Sequence, residues 1–250
     1  MIKRVTLFFV FLILALSCNK KGEDANVIIN KSIEVSGGEL FKNSIIAFDF
    51  RDKHYTAIRN NGKFQYERLF NDSLNVIKDV LNNKGFQRLI NNNVYEVTDD
   101  KERAYSSSVN SVHYFSVLPY GLNNAAVNKA YLEKVEIKAG NYYKIKVTFN
   151  QNGGGEDFDD EFIYWINTAN FKVDYLAYSY NENDGKGFRF REAYNERYIN
   201  GIRFVDYNNY KPKNNKVALE SIDVLFKQND LELLSKIELE NVMVNVVSNQ

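Results

Sequence analysis

Short segments in which apolar and polar residues alternate, separated by turns rich in Asn and Gly, dominate the sequence after residue 25. In residues 143–149, for example, Tyr, Ile, Val and Phe alternate with Lys, Lys and Thr. A period of two is typical of a β-strand with one solvent-facing side. The turn sequence Asn60-Asn61-Gly62 lies between two such segments and favours an antiparallel hairpin. The chain is therefore expected to fold mainly as an antiparallel sheet.

Two segments are apolar on both strand faces. Residues 162–166 read Phe-Ile-Tyr-Trp-Ile, and residues 175–178 read Tyr-Leu-Ala-Tyr. Aromatic residues make up 14% of the chain, a composition that favours strands over a helical bundle. We expect these two strands to be covered on both sides. A curved sheet that encloses a helix would provide that cover.

Two segments are predicted to be helical. Residues 27–36 carry Ile29 and Ile33 four positions apart and end before two glycines. A longer helix is expected to begin near Asp99 and Asp100, which are good capping residues, and to end before Pro119. The predicted fold class is α+β, with a curved antiparallel sheet (an incomplete β-barrel) packed on one central helix, and a short N-terminal helix. In the tail, residues 221–247, alternation at 222–226 and 242–246 predicts two further strands.

The N-terminus resembles a bacterial lipoprotein signal. Two basic residues at positions 3 and 4 precede an apolar run over 5–16, which is shorter than the roughly 20 residues of a membrane-spanning helix. Ala15-Leu16-Ser17-Cys18 follows and resembles a loose lipobox with the only cysteine of the chain. We therefore predict a signal peptide over 1–17, a lipidated Cys18 with a tether over 18–25, and one β-rich domain over 26–250. The alternatives are an ordinary secretory signal with an incidental thiol, or an uncleaved anchor helix.

The predicted anchor implies a place in the cell envelope. Acyl chains such as palmitate on Cys18 would hold the protein on the outer membrane, on its periplasmic face or at the cell surface. The chain carries 32 basic and 32 acidic residues, and this balance argues against a nucleic-acid partner. The expected partners are the membrane, through the N-terminal lipid, and a lipid or lipoprotein ligand, and the expected state is a monomer.

Few residues offer catalytic or metal chemistry. The chain has two histidines, His54 and His113, and no thiol besides Cys18, so no cofactor and no catalytic residue are predicted. Serines surround His113, but none lies in a nucleophile-elbow sequence. The weak candidates for a metal site are Asp157, Asp159 and Asp160, which follow three glycines. Their spacing is not that of an EF-hand, and the same sequence also suits a solvated hairpin turn.

Arginines interleaved with aromatic residues form the second candidate site. Arg189 and Arg191 would share one strand face, opposite Phe188 and Phe190, and could present guanidinium groups to an anionic or amphipathic ligand. The alternative is cross-strand pairing with acids on neighbouring strands. The residues predicted to contact a ligand are Trp165, Tyr175, Tyr178, Phe190, Arg189 and Arg191.

Several sequence stretches resemble a Bacteroidota lipoprotein family known only as a domain of unknown function. They are Phe48-Asp49-Phe50-Arg51-Asp52, residues 108–112 with Leu118-Pro119-Tyr120, residues 153–167, and residues 189–195 through Asp206-Tyr207. The architecture of that family is similar to the LolA/LolB type of lipoprotein-carrier fold. The resemblance implies an incomplete antiparallel barrel with an apolar concavity.

These features lead to three hypotheses for function. The first is a lipid-anchored envelope protein that binds an apolar or amphipathic ligand, such as a lipid or a lipoprotein acyl chain, in a sheet concavity. The second is a tethered structural or interaction module of the outer membrane. The third is a carboxylate enzyme that combines Asp157, Asp159 or Glu161 with Arg189 or Arg191. An aldolase is not supported, because Schiff-base aldolases resemble (β/α)₈ barrels, whereas here strands follow strands.

Overall fold

A computed structural model describes residues 23–155, 158–182, 185–214 and 216–247. Within them, fourteen strands form two seven-stranded antiparallel sheets. In chain order the strands are β1 (Asn43–Phe50), β2 (Lys53–Asn60), β3 (Lys63–Asn71), β4 (Val76–Asn82), β5 (Gly85–Ile90), β6 (Asn93–Tyr95), β7 (Val127–Ile137), β8 (Gly140–Phe149), β9 (Glu161–Asn167), β10 (Val173–Glu182), β11 (Gly185–Ile199), β12 (Ile202–Pro212), β13 (Leu231–Ile237) and β14 (Glu240–Val246).

The strand order is nearly sequential in both sheets. Sheet 1 has the order β14-β1-β2-β3-β4-β5-β6, and sheet 2 has the order β13-β12-β11-β10-β9-β8-β7. Residues 238–239 connect β13 to β14 and so link the two sheets at one edge. This link is fixed by Asp206 of β12, whose carboxylate accepts a hydrogen bond of 3.0 Å from the backbone N–H of Leu239.

Asn-Gly pairs set the register of two hairpins. Asn61 and Gly62, between β2 and β3, have φ angles of 47° and 86°, and Asn200 and Gly201, between β11 and β12, have 47° and 82°. A two-residue turn with positive φ at both positions matches the twist of the strands that it joins. Asn and Gly adopt this conformation at the lowest cost, so the predicted hairpin at residues 60–62 is confirmed.

Three α-helices accompany the sheets in the described residues. They are α1 (Ala25–Val35), α2 (Asp99–Ser116) and the short α3 (Ile222–Lys227). The side chain of Asp24 accepts a hydrogen bond from the N–H of Asn26 and caps α1. Since α1 begins at Ala25, the last residue of the predicted tether is helical. No helix in these described ranges is both long and apolar enough to cross a membrane.

Sheet 2 is buried on both of its faces. Phe162, Tyr164 and Ile166 of β9 pack on one side with residues of α1 and with Leu118. The alternate residues Ile163 and Trp165 pack on the other side with Leu219 and Ile222, which belong to the short helical segment after β12. The prediction that these strands are covered on both sides is confirmed.

Helix α2 packs on sheet 1 through a polar cluster. Asp79 of β4 is fully buried and accepts hydrogen bonds from Arg68 of β3 and Arg88 of β5. Arg68 also donates to the hydroxyl of Ser108 at 2.7 Å, and the guanidinium of Arg88 lies 3.6 Å from the ring centroid of Tyr105. Both contacts hold the helix against the sheet.

The α+β class, the antiparallel strands, the short N-terminal helix and the long helix are confirmed. The strand predicted at residues 222–226 is wrong, because this segment is α3. Ile222 and Phe226 are four positions apart, so their spacing suits one face of a helix as well as one face of a strand. Both pack with Trp165, Tyr175 and Phe190 on the face of sheet 2 that α3 covers.

Candidate ligand-binding cavity

A cavity of about 380 Å³, open to solvent on one side, lies between sheet 2, α2 and the link between the sheets. Its volume falls within the range of small-molecule binding sites. It is lined by Phe50, Ser111, Val112, Phe115, Ser116, Asp160, Tyr178, Tyr180, Arg189, Arg191, Val205, Tyr207, Ile237 and Leu239. Aromatic and aliphatic side chains therefore form most of the wall, and two arginines and one aspartate supply its charge.

Strand alternation places three of the polar groups on one wall. Tyr178 of β10 lies directly opposite Arg189 of β11, and Leu176 lies opposite Arg191. Because residues two apart on a strand share a face, Arg189 and Arg191 both face the cavity beside Tyr178. The hydroxyl of Tyr178 accepts a hydrogen bond of 2.9 Å from Nη2 of Arg191.

The Arg191 guanidinium is surrounded by aromatic rings. It lies 3.9 Å from the ring centroid of Phe115, 5.1 Å from that of Tyr178 and 5.9 Å from that of Tyr207. Only 7% of Arg191 is exposed, and its Nε has no hydrogen-bond partner. Within the described ranges, no carboxylate forms an ion pair with it. A buried cation thus lines the cavity, and one of its N–H groups has no acceptor.

Arg189, Tyr207 and Asp160 are further polar groups at the cavity, and their surroundings differ from those of Arg191. Arg189 is partly exposed, donates to its neighbouring backbone carbonyl at 2.8 Å and lies 5.1 Å from the ring centroid of Tyr180. Burial raises the pKa of Tyr207, so its phenol stays protonated at neutral pH. Asp160 contributes the carboxylate of the lining.

The structure brings together three of the six residues predicted to contact a ligand. Tyr178, Arg189 and Arg191 line the cavity. The other three, Trp165, Tyr175 and Phe190, pack on the opposite face of sheet 2. There the rings of Phe190 and Phe226 stack with centroids 4.6 Å apart, and Trp165 is fully buried.

Sequence reasoning missed the contribution of α2, β12, β13 and the sheet link to this cavity. Phe115, Val205, Tyr207, Ile237 and Leu239 were not among the predicted ligand residues, yet all five line it. A signal existed for Phe115, which lies three residues after Val112 and so shares its helix face. No local pattern indicates that residues 237 and 239 approach this face, because that depends on how the sheets are joined.

Of the acidic residues proposed for metal binding or catalysis, Asp160 lines the cavity, whereas Asp159 and Glu161 have partners outside its lining. Asp157 is outside the described residues. Asp159 accepts a hydrogen bond from Asn181, and Glu161 pairs with Lys146 at 3.0 Å. The described part of the chain contains no group of three or more His, Cys, Asp or Glu side chains arranged for a metal ion.

His113 lies in the core between α2 and sheet 1. It is fully buried, its ring stacks on Tyr66 at 4.6 Å between centroids, and its Nε2 lies 3.1 Å from the carbonyl oxygen of Glu67. Burial lowers its pKa to about 3, so the ring is neutral and donates from Nε2. These contacts are those of a core histidine.

Comparison with known proteins finds one matching family and several solved structures that resemble the chain. Residues 3–239 match a profile described as a family of unknown function (DUF6503), and no curated protein matches. The resemblance to a family of unknown function is therefore confirmed, whereas its Bacteroidota origin stays a prediction.

Three solved structures resemble the chain at low sequence identity. A LolA superfamily protein from Nitrosomonas europaea is 10% identical with a TM-score of 0.46, and the match covers 88% of this chain and 91% of that one. A DUF1329 family protein from Desulfovibrio piger is 8% identical with a TM-score of 0.42, and the coverage is 90% and 95%. A domain described as an outer membrane lipoprotein-sorting protein domain, from Vibrio parahaemolyticus, is 6% identical with a TM-score of 0.44, and the coverage is 89% and 95%.

Proposed function

This chain belongs to the DUF6503 family of unknown function, and we propose that it binds one amphipathic ligand, a lipid or a lipoprotein acyl chain, in the cavity between sheet 2 and α2. The observation that carries the proposal is the composition of the cavity wall. Aliphatic and aromatic groups from α2, β12 and the sheet link form one part of the wall, and polar groups from β10 and β11 form another. The cavity that they enclose has a volume of about 380 Å³. Such a wall suits a ligand with an apolar part and a polar part.

The volume sets the size of the enclosed portion. At about 30 Å³ for each water-sized group, the cavity holds roughly a dozen non-hydrogen atoms. A dozen atoms correspond to the polar headgroup of a ligand and the first part of its alkyl chain. The rest of a longer alkyl chain would extend through the open side of the cavity. Each methylene removed from water contributes about 0.8 kcal/mol, so the enclosed part of the chain contributes to binding.

Lipid extraction from the full chain, purified from the bacterial envelope, tests this proposal. Mass spectrometry of the protein and of the extract is expected to find one lipid per chain. Ser111→Trp, which places an indole in the cavity, is expected to abolish retention, whereas Asn110→Trp on the exposed side of the same helix is expected to retain the lipid. A clean apo mass, or equal retention in both variants, would contradict the proposal.

We also propose that the chain is held at the membrane by acylation of Cys18, which lies outside the described residues. Metabolic labelling with an alkyne analogue of palmitate is expected to label the wild-type chain and not Cys18→Ser. Because an uncleaved signal could keep the variant on the membrane, the label is more informative than cell fractionation. Label that persists in Cys18→Ser would exclude this anchor.

One observation favours a second candidate function, a tethered interaction module. Leu69 of β3 and Val94 of β6 lie on the face of sheet 1 that points away from α2, and they are 39% and 59% exposed. Lys78 lies between them in the register, so this face combines exposed apolar and charged groups, as interaction surfaces with a polar rim do. A clean apo mass, together with envelope cross-links that Val94→Lys abolishes, would favour this function over ligand binding.

A further inference from the structure

Among the described residues Arg191 has no carboxylate partner, although its guanidinium is buried and burial of a charge is costly. Removing a cation from water remains unfavourable even after the protein relaxes around it. Contact with aromatic rings returns only part of this cost, and the bond to Tyr178 adds only a neutral acceptor. The rings alone therefore do not offset the burial of this guanidinium, and its Nε still lacks an acceptor.

We propose that the ligand of this cavity carries an anionic headgroup, a carboxylate or a phosphate, that binds to the Arg191 guanidinium. This inference rests on the proposed function and names the chemistry of the ligand head. A guanidinium presents parallel N–H donors in a plane, which match the oxygens of both groups. The hydroxyl of Tyr178, which accepts from Nη2 of Arg191, still has a hydrogen of its own to donate.

The positions of the remaining wall residues fix the direction of the ligand. Arg189 lies two positions from Arg191 on the same strand face, so the positive groups are together on one wall. Val112 of α2, Ile237 at the end of β13 and Leu239 of the sheet link form an apolar wall. Counting Asp160, the described lining carries two positive charges and one negative charge, which favours an anion.

The test compares four amphiphiles that have the same twelve-carbon chain. The full chain, held in amphipol, is loaded with 11-(dansylamino)undecanoic acid as a fluorescent probe. Displacement of this probe at pH 8 is then measured with dodecanoate, dodecyl phosphate, dodecanol and dodecyltrimethylammonium. We expect the better of the two anions to bind at least about ten-fold more tightly than dodecanol, as a hydrogen bond to a charged group predicts. The ratio of dodecanoate to dodecyl phosphate then distinguishes a fatty acid from a phosphate headgroup.

Two variants connect this preference to the residue. Arg191→Gln is expected to reduce the anion preference to three-fold or less while dodecanol affinity changes little. Lys186→Gln, which removes an exposed charge from the same strand, is expected to leave the preference unchanged. If Arg191→Gln does not fold, as judged by circular dichroism, the wild-type comparison still decides the question.

The outcomes separate the two proposals. If dodecanol or dodecyltrimethylammonium binds the wild-type chain as tightly as the better anion, the headgroup inference is wrong and the proposed function stands. An anion preference that persists in Arg191→Gln also excludes this role for Arg191. If none of the four amphiphiles displaces the probe and no lipid is retained from the envelope, the proposed function itself is wrong.

Discussion

The buried ion cluster of Asp79, Arg68 and Arg88 gives a sharp prediction about stability. The carboxylate of Asp79 is fully buried and accepts two hydrogen bonds from Arg68, at 3.0 and 2.6 Å, and two from Arg88, at 2.6 and 2.9 Å. Asp79→Asn keeps the size of the side chain but removes its negative charge, so two adjacent guanidinium groups lose their counter-ion.

The expected loss in the free energy of unfolding is about 3 kcal/mol. Breaking a buried ion pair from one side costs about 3–5 kcal/mol, since it leaves an uncompensated charge. We expect the lower end of this range because Arg88 keeps its contact with the ring of Tyr105, and because Arg68 keeps its bond to Ser108. Urea unfolding followed by circular dichroism measures the change.

Two comparisons test the reasoning behind this value. Glu232→Gln, which breaks an exposed pair with Lys211, is expected to change stability very little. The triple variant Arg68→Met, Asp79→Leu, Arg88→Met removes all three charges and is expected to be as stable as the wild type or more so. A loss below 1 kcal/mol in Asp79→Asn, or a triple variant less stable than Asp79→Asn, would refute the argument.

Two further predictions concern buried polar groups. The hydroxyls of Tyr114 and Tyr164 are 3.1 Å apart, so Tyr→Phe at either position should lower the free energy of unfolding by about 1–3 kcal/mol. In a double-mutant cycle, the double variant should lose less than the sum of the two single losses. Burial lowers the pKa of His113 from 6.5 to about 3, so between these pH values the unfolded chain binds a proton that the folded chain does not. The free energy of unfolding should therefore fall by up to about 1.4 kcal/mol for each pH unit as the pH decreases through this range. In denaturation between pH 6.5 and 5, His113→Phe should lose this slope and His54→Phe should keep it; equal slopes in both variants would contradict the assignment.

Local sequence patterns predicted most of the strands and the long helix. The Asn-Gly turn at residues 61–62 and the two-sided apolar pattern of residues 162–166 depend on neighbours within a few positions, so they can be interpreted without the tertiary structure. The pattern at 222–226 was misinterpreted because five residues fit the period of a strand and the period of a helix equally well.

The candidate site was only partly predictable, because it depends on how distant segments pack together. Alternation correctly separated Arg189 and Arg191 from Phe188 and Phe190, but it cannot tell which face of a doubly covered sheet borders a cavity. That depends on α3 covering one face, while α2 and the link between the sheets leave a cavity on the other. Such packing is decided by contacts between distant parts of the chain.

The pairing of β14 with β1 also determines when this protein can fold. The side chain of Asn241 donates to Asp49 across a separation of 192 residues, and β14 forms the edge of sheet 1 next to the first strand. Contacts between such distant residues slow folding, since a long loop must close before they form. Sheet 1 therefore stays incomplete until the C-terminal strand has been synthesised, and a chain that ends before β14 leaves β1 as an unpaired edge open to association with other chains.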